Sequence, residues 1–359
     1  MGIGAVMAVE ASAAVDMSVL VPVRDEAAGI ADAVSAMRSQ TYRGEVEFLF
    51  MDGGSKDGTR EALEELARAD DRIRVLDNPH GGIPQALNIG LRHARGRFIA
   101  RMDAHTIYPR SYLETGCHVL EAGDADWVAG PQLAHGVDLW SRRIATALAS
   151  RLGIGAAAFR RTGATAAFET DTGFTGLWRA ETLRRLNGWD ERWAINEDAE
   201  LAARLRERGG RILCVPQMAA QWIPRRSVSS LVRQYWRYGQ YRERTCVHHP
   251  ASMRRSQLLP PALVLTVLGA VVPARVALPC RRALMAYALV LLAETGRLAR
   301  QGVPARDAAT LPVIFTSMHL AWGSGFVLGC ARFGVPITAI RLALRAPNRR
   351  SLSALNARS

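Results

Sequence analysis

The chain has 359 residues, 49% of them hydrophobic and 22% charged, a composition that excludes wholesale disorder. Its formal charge of +13 comes from two arginine-rich stretches, residues 225–255 and 332–359, and the remainder is neutral. Both stretches flank apolar sequence, so we expect them to face anionic lipid and expect no nucleic-acid partner, a nucleic-acid patch being the alternative.

In chain order, residues 1–16 have no basic region and carry two acids, which predicts a disordered lead-in and not a signal peptide. Nearly all-apolar runs then alternate with helically spaced ones. We predict strands at 18–23, 46–51, 73–76, 98–102, 127–128 and 211–215, and helices at 30–37, 57–67, 85–94, 109–120, 198–208 and 228–242. This alternation is typical of an α/β fold in which helices cover both faces of a parallel sheet.

Polar clusters follow four of the predicted strands. They occupy residues 21–26, 51–59, 85–90 and 101–105. Each cluster alone is more typical of turns and helix caps. Because ligands bind beyond the carboxyl ends of the strands in such sheets, the four clusters together predict one binding site.

As a set, these clusters closely resemble the motifs of the family 2 glycosyltransferases, which have the GT-A fold, and the resemblance covers roughly residues 17–240. The run Arg101-Met102-Asp103-Ala104-His105 looks most like the succinoglycan-type exopolysaccharide glucosyltransferases of that family. The resemblance implies a nucleotide-diphosphate sugar donor, whose base and ribose would be held by Pro22, Glu26 and Asp52. The other residues that it implies in the donor pocket are Ser55, Asp57, Asn88 and Asp103. In the family, the carboxylate at the position of Asp52 accepts from the uracil N–H, which favours a UDP-sugar.

Asp103-Ala104-His105 stands where the family carries Asp-x-Asp, so the resemblance implies that Asp103 and His105 hold a divalent cation, Mn²⁺ or Mg²⁺. Such an ion would bridge the two phosphates and offset the charge of the departing diphosphate. An imidazole in the second place shifts the preference from Mg²⁺ toward Mn²⁺. In isolation, the same tripeptide is more typical of a surface acid followed by a histidine bonded to the next turn.

Three acids, Glu197, Asp198 and Glu200, open a predicted amphipathic helix. The helix dipole explains them without any catalytic role, because it favours negative charge in a first turn. The family places its Glu-Asp motif here, which implies that Asp198 is the general base toward the acceptor hydroxyl and that Glu197 orients it. The loops at 171–174 and 188–190 fit the acceptor side, and we assign them no catalytic role.

Gln234-Tyr235-Trp236-Arg237-Tyr238 resembles the family's Gln-x-x-Arg-Trp motif, with Tyr in place of Trp. The resemblance implies that Arg237 meets the diphosphate and that Tyr238 stacks on the acceptor sugar. An amphipathic helix with aromatic anchors at a membrane interface explains the same pattern, and the two interpretations are compatible. The tyrosine favours addition of a single sugar over processive synthesis.

Three apolar stretches, 258–274, 283–299 and 311–331, lie between the basic stretches and predict membrane helices. We therefore predict a catalytic domain at 17–225, a basic interfacial segment at 226–257, transmembrane or re-entrant helices at 258–331 and a basic cytoplasmic tail at 332–359. Gly323-Ser324-Gly325 indicates close helix packing or a re-entrant break. Because the tail is basic, we expect an even number of crossings, with the last stretch returning at that break.

The sequence thus predicts an inverting, metal-dependent glycosyltransferase at the inner (plasma) membrane, multi-pass, with a cytoplasmic catalytic domain. We expect it to move a sugar, with glucose from UDP-glucose favoured, to a lipid-linked oligosaccharide in exopolysaccharide or cell-envelope glycan synthesis. One alternative is a polyprenyl-phosphate glycosyltransferase, whose acceptor is the lipid phosphate. Another is a non-catalytic nucleotide-sugar-binding subunit of an export complex, against which the presence of Asp103, His105 and Asp198 argues.

Overall fold

The computed structural model describes residues 15–154, 164–272 and 275–345. Its main sheet contains eight strands: β1 (Met17–Val23), β2 (Val46–Asp52), β3 (Ile73–Asp77), β4 (Phe98–Arg101), β6 (Trp127–Ala129), β8 (Phe168–Glu169), β9 (Gly176–Arg179) and β10 (Ile212–Cys214). Their spatial order is β3-β2-β1-β4-β9-β6-β10-β8. Neighbours are parallel except that β9 runs antiparallel to β4 and β6, and β8 to β10. A small second sheet contains β5 (Thr106–Ile107), β7 (Gln132–Ala134) and β11 (Ala220–Trp222).

Helices cover both faces of the main sheet, which confirms the predicted α/β fold. The helices of this part are α1 (Ile30–Arg38), α2 (Thr59–Ala69), α3 (Ile83–His93), α4 (Tyr112–Glu121), α5 (Leu139–Ala149), α6 (Arg151–Ile154), α7 (Ala180–Arg185) and α8 (Glu197–Glu207). Successive residues of a strand point to opposite faces. Val19 and Val21 of β1 accordingly join a core formed with α1 and α4, whereas Leu20 joins a second core formed with α3 and α8.

The sequence patterns predict no strand at β9, yet β9 lies in the middle of the main sheet. The strand has only four residues, too few for a period of two to stand out. Its Trp178 packs against Trp127 and Trp189, with ring centroids 4.8 and 5.8 Å apart. The position of β9 in the sheet therefore depends on contacts between tryptophans from different segments, and the local sequence of β9 does not reveal these contacts.

The C-terminal part is helical and contains α9 (Val228–His248), α10 (Leu259–Val271), α11 (Ala277–Arg300), α12 (Ala305–Ala308), α13 (Leu311–Phe333) and α14 (Ile337–Arg345). Helix α13 is continuous through Gly323-Ser324-Gly325, so the predicted re-entrant break is wrong. The glycines instead allow α13 to approach its neighbours. A Cβ on Gly325 would lie 2.0 Å from the carbonyl oxygen of Trp236 in α9, and one on Gly239 would lie 2.1 Å from that of Trp322.

Within the described residues, one helical segment, Ala305–Phe333, is long and apolar enough to cross a membrane. Helix α10 has only 13 residues, and α11 contains Arg281, Arg282 and Glu294. Large apolar side chains are nevertheless exposed on α10 and α11, among them Leu265, Val271, Met285 and Leu289. Residues 1–14 of the predicted lead-in and residues 346–359, half of the predicted basic tail, lie outside the described residues.

Candidate active site

The loops that follow β1 and β2 are bonded to each other. The backbone N–H of Asp25 donates to the Ser55 hydroxyl at 2.9 Å, and that of Ala27 donates to the Asp57 carboxylate at 2.9 Å. In return, the N–H of Lys56 donates to the Asp25 carboxylate at 2.9 Å. Asp25 has a φ of 54°, a strained conformation for a non-glycine residue that these bonds hold in place. Ser55 and Asp57, predicted to line a donor pocket, thus shape the first loop.

Asp52 ends β2 with a buried carboxylate. Ser55 donates its hydroxyl to that carboxylate at 2.5 Å, and the guanidinium of Arg60 lies 3.9 Å away. In the parallel register, Asp52 is opposite Val23, the residue after Pro22. The structure therefore brings Pro22 and Asp52 to the same edge of the sheet, as the four polar clusters predict.

Glu26 connects the first loop to His105. Its backbone N–H donates to the hydroxyl of Thr59 at 2.8 Å, which fixes the loop. Its carboxylate oxygen lies 3.1 Å from Nδ1 of His105. This hydrogen bond is the largest cause of a raised pKa of the His105 imidazole, whose side chain is 60% exposed.

Arg101, the last residue of β4, lies in the centre of the site and is 1% exposed. Its Nε donates to the Asp103 carboxylate at 3.0 Å, and its Nη1 donates to the Glu197 carboxylate at 3.1 Å. The guanidinium also lies 5.0 Å from the centre of the Phe174 ring. One buried arginine thus joins the Asp-x-His segment to the Glu-Asp pair that begins α8.

Asp198 lies beside this network and is half-buried. Its carboxylate accepts the backbone N–H of Ala199 at 2.7 Å. Burial, followed by the charge of Glu197, raises the pKa of Asp198 to about 7. A carboxyl group with such a pKa can accept a proton near neutral pH, which is the property that general-base catalysis needs.

A family model described as "Glycosyl transferase family 2" matches residues 18–180. The chain is also 31% identical over 319 residues to the succinoglycan biosynthesis protein ExoA of Rhizobium meliloti (strain 1021), a match that covers 86% of this chain and 93% of that protein. The chain belongs to glycosyl transferase family 2.

Other relatives of this family 2 glycosyltransferase agree with the assignment. It is 32% identical over 115 residues to the glycosyltransferase GlyG of Streptococcus pneumoniae serotype 4, covering 32% of this chain and 38% of GlyG. Among solved structures, it is similar to the mannosyltransferase PcManGT from Pyrobaculum calidifontis, with a TM-score of 0.56, 19% identity and 89% of each chain covered. The latter similarity shows a shared fold, and the predicted GT-A fold is confirmed.

The aromatic motif of the glycosyltransferase lies on α9, near the start of α8. The side-chain amide of Asn196 donates to the backbone carbonyl of Tyr238 at 3.5 Å, a long hydrogen bond. Gln234 donates to the hydroxyl of Tyr238 at 2.9 Å, while Arg237 is exposed. The motif is therefore next to the Glu-Asp pair, whereas contacts of Arg237 and Tyr238 with substrate stay predictions.

Asn88 bonds the loop that follows α7. Its side-chain amide donates to the carbonyl of Trp189 at 2.8 Å and to the Glu191 carboxylate at 3.0 Å, and it accepts the N–H of Trp189 at 2.9 Å. Both ends of the amide thus hold the loop at 188–191, on the predicted acceptor side. Its predicted role in the donor pocket of the glycosyltransferase stays a prediction.

Asp103 and His105 fit a cation that takes most of its ligands from a substrate. Within the described residues, no group of three or more His, Cys, Asp or Glu side chains is arranged to hold a metal ion by itself. Magnesium-type sites commonly use one or two protein carboxylates together with substrate phosphates. Metal-binding histidines commonly bond a carboxylate through the other ring nitrogen, and Glu26 is such a partner for His105.

Arg101 is the residue to which the sequence motifs assign no role. One feature of the sequence could have indicated its importance. Arg101 is a charged residue directly after the apolar triplet Phe98-Ile99-Ala100, and the structure shows that this strand is buried along its whole length. Charged side chains are almost never fully buried unless they are paired. Its position therefore predicts ionic partners, whereas their identities depend on the fold.

Proposed function

We propose that this glycosyltransferase is an inverting, metal-dependent enzyme that moves a sugar from a nucleotide-diphosphate donor to a lipid-linked oligosaccharide. UDP-glucose is the favoured donor, and exopolysaccharide or cell-envelope glycan synthesis is the favoured process. The succinoglycan biosynthesis assignment of its relative ExoA supports this process. We place the reaction at the cytoplasmic face of the inner membrane, because nucleotide sugars are cytosolic.

The observation that carries the proposal is the pairing of donor-side and acceptor-side carboxylates in one site. Asp103, from the donor side, and Glu197, from the acceptor side, bond the same guanidinium at 3.0 and 3.1 Å. Asp198 follows Glu197 directly and has a raised pKa. Transfer of a sugar needs both a leaving diphosphate and an attacking hydroxyl at one carbon, so these two sides must meet.

In the proposed reaction, Asp198 takes the proton of an acceptor hydroxyl while that oxygen bonds the anomeric carbon of the donor sugar. The bond from that carbon to the diphosphate oxygen breaks at the same centre, and its electron pair leaves with the diphosphate. Attack opposite the leaving group inverts the anomeric configuration. Asp103 and His105 would hold Mn²⁺ or Mg²⁺, which when bound supplies positive charge to the leaving diphosphate.

The nucleobase of the donor is proposed to be uracil, from the sequence resemblance. Asp52 would accept a hydrogen bond from the uracil N–H. The carboxylate of Asp52 is buried and directed by Ser55, which suits recognition of a single N–H. The PcManGT structure is a complex with GDP-Man and Mn²⁺, a different nucleotide with a divalent metal. UDP-sugars and GDP-mannose are therefore the two donor classes to compare.

Membrane attachment is proposed through α10 and α11. Their exposed leucine, valine and methionine side chains form an apolar surface of the kind that membrane interfaces accept. The basic stretch at 225–255 lies directly before these helices, where anionic headgroups attract arginine.

The test uses the full chain in isolated membranes, with radiolabelled UDP-glucose, UDP-galactose or GDP-mannose and a lipid extract from the source cell. We expect label from UDP-glucose to enter the organic phase, and the same preparation of Asp198→Asn to transfer little. No transfer from any nucleotide sugar would contradict the proposal. Label on added polyprenyl phosphate without an oligosaccharide would instead indicate a polyprenyl-phosphate glycosyltransferase.

A further inference from the structure

We propose that Arg101 is a positioning residue that sets the distance between the donor-side carboxylate of Asp103 and the acceptor-side pair Glu197 and Asp198. This inference rests on the proposed function for its kinetic consequence. The bridge itself is independent of which donor is used.

The contacts of Arg101 use different edges of the guanidinium. The edge that carries Nε bonds Asp103 at 3.0 Å, with Nη2 3.5 Å from the second oxygen of the same carboxylate. The other terminal nitrogen bonds Glu197 at 3.1 Å. Glu197 is 94 residues further along the chain than Asp103, so this bridge joins the end of β4 to the start of α8 directly.

Burial makes this bridge specific. Arg101, Asp103 and Glu197 are 1%, 6% and 6% exposed, so the two ionic bonds are largely shielded from water. The planar guanidinium donates in fixed directions, whereas an ammonium group is a single point charge. The ring of Phe174, 5.0 Å from the guanidinium, restricts its plane further. Lysine at this position would keep the charge and lose the simultaneous bonds.

The consequence for the reaction concerns geometry. The donor carbon is positioned by groups that include Asp103, and the acceptor oxygen by groups that include Asp198. A displacement of about 1 Å between reacting groups can lower a rate by about 10²-fold. Loss of the bridge should therefore lower kcat by more than it weakens donor binding, because the donor contacts only the Asp103 side of the bridge.

The experiment compares Arg101→Lys with wild type in the full-length membrane-bound enzyme. We expect kcat for transfer to fall by about 10²-fold and the donor KM to stay within about threefold. Hydrogen–deuterium exchange of the peptide at 196–200 should become faster, since the start of α8 loses a partner. The matched control is Arg97→Lys, because Arg97 lies just before β4 and pairs with Asp16 and Glu121 at the surface. This control should behave as wild type.

A wild-type kcat in Arg101→Lys, or a rise in donor KM equal to the fall in kcat/KM, would overturn the proposal.

If Arg101→Lys does not fold, Phe174→Leu keeps both ionic bonds and loosens the plane of the guanidinium. It should lower kcat by about fivefold to tenfold at constant KM, and an unchanged kcat would overturn the inference. If wild type transfers no sugar at all, the proposed function fails separately. Unchanged exchange at 196–200 in Arg101→Lys would then still contradict the bridge.

Discussion

Asp198 lies in the first turn of α8, where burial and the negative charge of Glu197 both oppose ionisation. Arg101 acts in the other direction and limits the rise in pKa. The balance leaves a carboxyl group that titrates near neutral pH, and this property distinguishes it from an ordinary surface aspartate.

For Asp198→Asn, we expect kcat to fall by about 10²–10⁴-fold, because a positioned general base contributes that much. Donor affinity should stay nearly constant, because the base contacts the acceptor. Initial rates and nucleotide binding measure the two quantities. Asp32→Asn, on the exposed face of α1, is the control and should leave both unchanged. A near-wild-type kcat in Asp198→Asn would remove Asp198 from the mechanism.

The pH dependence of the wild-type enzyme follows from the same group. A base is active only when deprotonated, and the pKa of Asp198 is raised to about 7. We therefore expect kcat/KM to rise about tenfold per pH unit below pH 7 and to level off above it. In Asp198→Asn the remaining activity should lack this rise. A wild-type profile that is flat from pH 5 to 8 would show that another group is the base.

The metal prediction concerns His105. A chelator should abolish transfer, and Mn²⁺ should restore it at least as well as Mg²⁺, since imidazole favours the softer ion. In His105→Asp the preference should move toward Mg²⁺, because the ligand set becomes harder. His118→Asn, in an exposed position on α4, should leave the metal preference unchanged. Full activity in excess chelator would exclude a metal from the reaction.

At the scale of elements, the contact between α9 and α13 holds two long helices of the C-terminal part together. Gly325 of α13 lies against the backbone of α9 at Trp236, without space for a Cβ. Close backbone contact of this kind is typical of helix pairs that use small residues at their interface.

Gly325→Ala should destabilise the protein by about 1–3 kcal/mol, because the added methyl group forces the two helices apart. The matched control is Gly296→Ala in α11, where a Cβ meets no atom within 4 Å. That substitution should be neutral or stabilise by up to about 1 kcal/mol, since alanine is the better helix former. Thermal unfolding of the detergent-solubilised chain compares the two variants. Equal unfolding temperatures would contradict a tight α9–α13 contact.

Glu243 of α9 is fully buried beside the same contact, and neither carboxylate oxygen has a hydrogen-bond partner among the described residues. Burial raises the pKa of Glu243 to about 7. The folded state therefore binds more protons than the unfolded state between the ordinary pKa of glutamate and pH 7. Stability from this group is lost as the pH rises through that window.

For Glu243→Gln, we expect a higher unfolding temperature than wild type at pH 8, by about 2–4 °C, and a smaller difference at pH 5. The neutral amide keeps the shape of the side chain and removes the unpaired charge. Glu65→Gln, in an exposed position on α2, should show no such pH-dependent difference. A difference that does not grow between pH 5 and 8 would show that Glu243 is paired in solution.

At the scale of the whole molecule, the catalytic domain and the C-terminal helices share ionic and packing contacts. Arg254, after α9, forms a bidentate ion pair with Asp171 in the loop that also carries Phe174. Trp193, before α8, donates to the hydroxyl of Thr245 at 3.1 Å. The loop at 171–174, which is predicted to lie on the acceptor side, is therefore attached directly to the segment that precedes the apolar helices.

This packing bears on the membrane topology. Ile314 and Phe315 of α13 belong to one core with Ile144 of α5 and Leu231 of α9, and Phe326 packs in a second core with Cys246. Because α13 packs on α5 of the catalytic domain and along α9, we expect that it does not carry the chain across a bilayer. We therefore expect an even number of crossings, made by α10 and α11 or by no helix.

A reporter that is active only in the cytoplasm, fused after residue 359, should give a signal. A fusion after residue 257, which precedes α10, is the matched control and should also be active. Activity of an extracytoplasmic reporter at residue 359, with the control unchanged, would mean an odd number of crossings and contradict the expectation.

The sequence by itself determined the order of strands and helices from β1 to α4 except for the two-residue β5, because hydrophobic periodicity and turn residues are local signals. It also placed Pro22, Asp52, Asp103 and His105 at strand ends, where the family motif is recognisable. The start of α8 at the Glu-Asp pair was predicted to within one residue.

Only the tertiary structure decided how these segments meet. The antiparallel β9, the bridge through Arg101 and the bonds of Asn88 all join residues far apart in the chain. The continuous α13 was likewise decided by packing, because Gly323-Ser324-Gly325 is compatible with a break or with close contact. Local sequence carries no signal for partners about 50 to 100 residues away, and burial of Arg101 requires such a partner because an unpaired interior charge is too costly.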